Sequence, residues 1–147
     1  MDEFKETRTS PVAQEQKEKL NINVLLADDD LAIRRMSVLF LKSIGCTVEA
    51  VENGKELMNR LNASKPGEFG LVITDKQMPE MDGMEVIKNI RADDRFQKLP
   101  IILNSGDVWN KVQTKQAVEA AGGIYLEKPF TMEQFTQAIK EAISKNL

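Results

Sequence analysis

Short apolar runs recur along the chain at nearly regular intervals: NVLLA from Asn23, TVEAV from Thr47, LVIT from Leu71, IILN from Ile101 and IYLE from Ile124. Their starts are separated by 24, 24, 30 and 23 residues. Runs this short and this rich in Val, Ile and Leu suit buried strands, and each gap leaves room for one helix. The gaps carry apolar residues at steps of three and four: Ile33, Met36, Phe40 and Ile44; Leu57, Met58 and Leu61; Val86, Ile87 and Ile90; and, least clearly, Val112, Ala117 and Val118. A last stretch places Met132, Phe135, Ala138, Ile139, Ala142 and Ile143 on one helical face.

Punctuation agrees with these boundaries. Gly45 and Gly122 fall where helices should end, Asn53 and Asp82 can cap the second and third helices, and Thr131 with Gln134 forms a capping box. Asp30 directly precedes the first helical pattern and reads as its cap. The order is five alternating β and α units. Short strands joined through helices run parallel with right-handed crossovers, which predicts an α/β domain with helices on both faces of one sheet. Residues 1–20 are polar around Pro11 with no sustained apolar period, so they read as a flexible tail, and the folded domain is expected over residues 21–147.

Composition narrows the function. A net charge of −3 and a pI near 5.2 offer no general attraction for nucleic acid or an anionic membrane. No apolar run approaches the roughly 20 residues that span a bilayer, and the start MDEFKETRTS lacks a secretory pattern, so a cytoplasmic location is expected. Cys46 is the only cysteine and reads as a small buried hydrophobe. The chain contains no histidine, which excludes Ser-His-Asp catalysis, His-ligated metal and any His-phosphate chemistry of its own.

In a parallel sheet of this kind, ligands bind beyond the carboxyl ends of the strands. Those ends read Asp28-Asp29-Asp30, Asp75, Asn104-Ser105-Gly106 and Glu127-Lys128-Pro129. Taken alone, Asp75 could be a turn former. Its company is harder to explain locally, because several carboxylates, a hydroxyl and a lysine converge on one rim from distant segments. Two carboxylates about 4 Å apart repel by roughly 4 kcal/mol at an effective dielectric near 20, so the cluster calls for a cation or a raised pKa. Oxygen ligands without His or Cys favour Mg²⁺, with Mn²⁺ possible. Screened in this way, Asp75 could act as a nucleophile and form an acyl phosphate, with Lys128 and Ser105 contacting phosphoryl oxygens.

The segments LLADDD, VITDKQMPEMDG, PIILNSGD and LEKPF resemble, in order and context, the blocks of response-regulator receiver domains, from Asn21 to about Leu147. That resemblance implies a flavodoxin-like (βα)5 three-layer sandwich, its five-stranded parallel sheet in the order 2-1-3-4-5. It implies Asp75 as phosphoacceptor, Asp28 and Asp29 as the acidic pair, and the Gln77 main-chain carbonyl as a further Mg²⁺ ligand. Ser105 becomes the switch hydroxyl, Tyr125 the switch aromatic, and Lys128 the phosphate-sensing lysine aimed by a cis bond to Pro129. Gln77 and Asp107 would flank the open side of the phosphoryl group and tune its lifetime. The donor would be a sensor histidine kinase or histidine phosphotransfer protein, and a downstream protein would bind the face of the fourth helix, fifth strand and last helix. The protein would be a signalling receiver that catalyses its own phosphorylation and autodephosphorylation, not a conventional enzyme. Lys76 after the acceptor, and Asn104 in a usually apolar strand, depart from the pattern.

A competing reading takes Asp28 as the nucleophile of a haloacid-dehalogenase-like phosphatase, since Asp28-Asp29-Asp30 contains DxD after a first strand. Against it, Ala32 stands where that class favours Thr or Val. Trp109 could contact a partner or simply pack near the fourth helix.

Overall fold

The computed structural model describes residues 19–145, in which strands and helices alternate. In chain order these are β1 (Asn23–Ala27), α1 (Leu31–Ser43), β2 (Thr47–Val51), α2 (Gly54–Asn62), β3 (Leu71–Asp75), α3 (Gly83–Ala92), β4 (Ile101–Ser105), α4 (Lys111–Ala120), β5 (Ile124–Glu127) and α5 (Met132–Lys145). One turn of 3₁₀ helix, Asp94–Phe96, follows α3. The strands form one parallel sheet in the order β2-β1-β3-β4-β5. Strands β3 and β4 are buried at every position, which is why they read as unbroken apolar runs, whereas the edge strand β2 is open to solvent at three of its five positions.

Alternation along the strands divides the core in two. Val72, Ile101 and Leu103 face α2, α3 and α4 through Leu57, Leu61, Val86, Ile90 and Val118. Leu71, Ile73 and Ile102 face α1 and α5 through Leu41, Phe135 and Ile139. Each fully buried Leu, Ile or Phe contributes about 1.5–3 kcal/mol, so both layers are needed to hold the sheet.

The expected caps form. Asp30, Asn53 and Asp82 accept from the N–H groups of Ile33, Glu56 and Glu85 at 3.1, 2.8 and 2.9 Å. Thr131 and Gln134 bond reciprocally at 3.0 and 2.9 Å. Gly45 and Gly122 close α1 and α4 with φ of +92° and +78°. Packing reaches one residue before the expected domain start, where the Leu20 N–H bonds the Ile44 carbonyl at 3.0 Å. Most of the tail expected over residues 1–20 lies outside the described residues. Among the described residues, no helix is long and apolar enough to cross a membrane.

Two helices turn differently from their apolar pattern. Helix α1 buries Ser37 and Leu41 and leaves Met36 47% exposed. Helix α4 buries Thr114 and Val118, one turn apart, and leaves Val112 63% exposed. The inward position on α4 suits a hydroxyl because Lys76 meets it there.

Candidate functional site

Parallel strands bring all their carboxyl ends to one rim, where β1 delivers Asp28 and β3 delivers Asp75. Asp28 is buried; its Oδ1 accepts the Asp30 N–H at 2.9 Å, and its carbonyl accepts from Arg34 Nη1 at 2.7 Å. Arg34, one turn into α1, thereby ties the start of the helix back to the end of β1. Asp75 is also buried, and its Oδ1 accepts from the Lys76 N–H and from Lys128 Nζ, both at 3.0 Å. Lys128 Nζ stands 3.4 Å from Asp28 Oδ2 as well. Lys128 precedes a cis bond to Pro129 at the end of β5.

Asp28, Asp29 and Asp75 each present an oxygen within 4.8 Å of the others. Burial pushes the Asp75 carboxyl above its usual range, the pairing with Lys128 opposes that shift, and the charges of Asp28 and Asp29 add to it. For Lys128, burial pulls the ammonium pKa down, but pairing with Asp75 and Asp28 outweighs it, and the net direction is up. One lysine thus meets two of the three carboxylates, Asp28 and Asp75, and leaves negative charge uncompensated. A close set of hard oxygen donors with one carboxyl driven upward fits Mg²⁺ or Mn²⁺ better than a softer ion.

The cluster opens into a cleft of about 380 Å³ lined by Asp29, Asp75, Gln77, Ser105, Gly106 and Lys128. Gln77 is exposed on its wall. Ser105 is buried at the end of β4, and its Oγ accepts the Asp107 N–H at 3.0 Å. The Asp107 carboxylate is tied to Lys76 Nζ at 2.8 Å, and that ammonium holds the carboxyl below the usual range. Lys76 Nζ also donates to Thr114 Oγ1 at 2.8 Å. Lys76, read from sequence only as a departure from pattern, is therefore part of a defined contact; nothing in the sequence pairs residues so far apart.

Tyr125 packs against the α2–α4 side of the core with its hydroxyl buried and without a hydrogen-bond partner. Asn104, beside Asp75 in the β3–β4 register, likewise has a buried Oδ1 without a partner. Trp109 is 91% exposed, which removes the packing alternative, and Val108 and Val112 stand open beside it.

A five-stranded parallel sheet in this order, with its acidic cluster, lysine and hydroxyl at the carboxyl rim, defines a flavodoxin-like α/β domain with one loaded edge. Residues 24–140 match the family described as "Response regulator receiver domain", and the chain belongs to that family. Chemotaxis protein CheY1 of Helicobacter pylori is 31% identical over 126 residues, covering 85% of this chain and 99% of its own. The peroxide stress-activated histidine kinase mak2 of Schizosaccharomyces pombe is 31% identical over 137 residues, 90% of this chain; the chain spans only 6% of that kinase. Chemotaxis response regulator CheY4 of Vibrio cholerae superposes with a TM-score of 0.71 at 28% identity, over 82% of this chain and 98% of its own. Family membership displaces the phosphatase alternative. Asp28, its proposed nucleophile, is only 2% exposed, with its oxygens engaged by Asp30 and Lys128.

Proposed function

We propose that Asp75 is the phosphoacceptor of a cytoplasmic signalling receiver, charged by a phosphohistidine on a sensor kinase or phosphotransfer protein. The observation that carries this reading is the convergence of Asp28, Asp29 and Asp75 with Lys128 bonded to Asp75. An Asp75 carboxylate oxygen would attack phosphorus, the P–O bond forming as the P–N bond breaks; the electron pair returns to the imidazole nitrogen, which takes a proton from solvent. Asp28, Asp29 and Asp75, with the Gln77 main-chain carbonyl, would hold Mg²⁺, which supplies positive charge against the incoming anion. Lys128 is already protonated in place and can hold a phosphoryl oxygen, and the Ser105 hydroxyl can donate to another. The chemistry asks mainly for positioning and charge stabilisation, which these residues offer without a base.

Ser105 and Tyr125 would carry the switch, with a downstream protein on the face of α4, β5 and α5; Val112 on α4 is exposed, as are Val108 and Trp109 in the connection that leads into it. The Gln77 carboxamide, which lines the cleft, would hold an attacking water and shorten the acyl-phosphate lifetime; Asp107, engaged by Lys76, would tune it more weakly.

Phosphoramidate has the same P–N bond as a phosphohistidine and tests the reading without a cognate donor. With Mg²⁺, the parent should gain one hydroxylamine-labile phosphoryl group by intact mass, and Asp75→Asn should gain none. Labelling of Asp75→Asn at the parental rate would refute the assignment.

A further inference from the structure

Lys76 faces two ways. Its N–H donates to Asp75 Oδ1 at 3.0 Å and to the Asn104 carbonyl at 2.8 Å. Its ammonium donates to Asp107 Oδ2 and Thr114 Oγ1, each at 2.8 Å, with the Lys76 and Asp107 side chains only 15% and 11% exposed. Asp107 is itself a junction: its Oδ1 accepts from the N–H groups of Trp109 and Asn110 at 3.0 and 3.4 Å, and its own N–H donates to Ser105 Oγ. Asn110, at the cap position of α4, makes no side-chain capping bond, so Asp107 serves the free N–H groups that lead into that helix. A chain of contacts therefore runs from the Asp75 carboxylate through Lys76 to Asp107, and from there to Ser105, the Trp109 backbone and α4.

We propose that Lys76 is a positioning residue whose ammonium clamps the β4–α4 segment through Asp107 and Thr114, so that Ser105 turns toward a phosphoryl group on Asp75 only as the clamp yields. The proposal rests on the receiver reading of Asp75 and Ser105. Ser105 Oγ is held by the Asp107 N–H, so moving it toward Asp75 either breaks that bond or drags Asp107, and both load the Lys76 contact. A phosphoryl group brings about 1.5 to 2 negative charges to the same rim and draws the Ser105 hydroxyl away from the Asp107 N–H. The clamped arrangement is thus favoured before phosphorylation, and phosphoryl binding has to displace it.

The sign of one substitution separates this from a plain structural tie. Removing a cation near an anion site should weaken anion binding by simple electrostatics, and a merely structural tie should leave binding alone. Removing a clamp should tighten it. With Trp109, the only tryptophan, as the emission reporter, Mg²⁺-dependent beryllofluoride binding should be roughly three- to tenfold tighter in Lys76→Met, and near parental in Lys76→Arg. Thr114→Val keeps both charges and should shift affinity the same way by less, which covers the case in which Lys76→Met does not fold. Affinity unchanged within twofold, or weaker, overturns the proposal. A second arm without ligand compares unfolding of the parent, Lys76→Met, Asp107→Asn and the double variant. Their coupling should be on the order of tenfold in the unfolding constant, and additive effects would also overturn the clamp. If the parent fails to bind beryllofluoride, or Asp75→Asn binds it equally well, the receiver reading has failed and takes the proposal with it, while the ligand-free cycle separately judges the ion pair.

Discussion

Asp75 sits where its charge is disfavoured: burial raises its pKa, and Lys128 offsets that only in part. The cost to the fold has a definite sign. A carboxyl whose folded-state pKa lies above the ordinary 3.8 binds its proton more tightly when folded. The resulting stability is fully present below the unfolded value and is lost as pH rises through the folded-state value. Urea unfolding in a chelating buffer should therefore show the parent losing stability relative to Asp75→Asn as pH rises from about 3.8. Taking the difference removes the opposite trend of Glu68, Asp93 and Asp107, whose carboxyls are held low by hydrogen-bonded partners. A flat difference, or one that grows with pH, would contradict the burial argument. At this scale the site was readable from sequence where it depends on strand ends: Asp28, Asp75, Ser105 and Lys128 stand at the rim because a parallel sheet leaves them nowhere else. The Lys76–Asp107 contact spans 31 residues and depends on how two loops bend, which no local pattern encodes.

Among the elements, strands were the most legible because two-sided burial writes itself as short apolar runs. Helices α2 and α3 bury the residues their patterns named, Leu57, Met58 and Leu61 in one and Val86, Ile87 and Ile90 in the other. The faces of α1 and α4 were less legible, since small or polar residues, Ser37 and Thr114, occupy inward positions where side-chain size and a hydroxyl partner outweigh hydrophobicity. The start of α3 lies directly against the backbone of the site. The Gly83 N–H bonds the Lys76 carbonyl at 2.8 Å, and a Cβ at Gly83 would lie 2.3 Å from the Asp75 carbonyl oxygen and 2.9 Å from Leu103 Cδ1. Backbone cannot yield as a side-chain tip can. Gly83→Ala should therefore cost about 1–3 kcal/mol in urea unfolding and, by shifting α3 against the Asp75 backbone, weaken Mg²⁺ binding. Asp82→Ala, which removes the neighbouring cap, should cost about 1 kcal/mol with Mg²⁺ affinity unchanged. Equal losses of Mg²⁺ affinity in the two variants would show that α3 stability in general, not contact at Gly83, governs the site.

For the whole molecule, the rim cluster joins segments that otherwise meet only through the sheet: the β1–α1 turn, the end of β3 and, through Lys128, the end of β5. An ion held there binds the folded chain and not the unfolded one, so it should stabilise both core layers together. At a hundred times its dissociation constant, the increment is about 2.7 kcal/mol, which for a domain of this size means a rise of about 5–10 °C in Tm. Ionic strength must be matched with a monovalent salt, because screening of the carboxylate cluster alone would mimic part of the effect. Asp29 and Asp30 make the discriminating pair. Both are exposed, but Asp29 belongs to the cluster, whereas Asp30 caps α1 through the Ile33 N–H. Asp29→Ala should remove most of the Mg²⁺ increment. Asp30→Ala should lower the starting stability by about 1 kcal/mol through loss of its cap, and the starting Tm with it, and keep the increment. Thermal unfolding of the three proteins with and without Mg²⁺ decides the matter: an equal rise in all three would mean the ion acts through general charge screening and not through a site built by the fold.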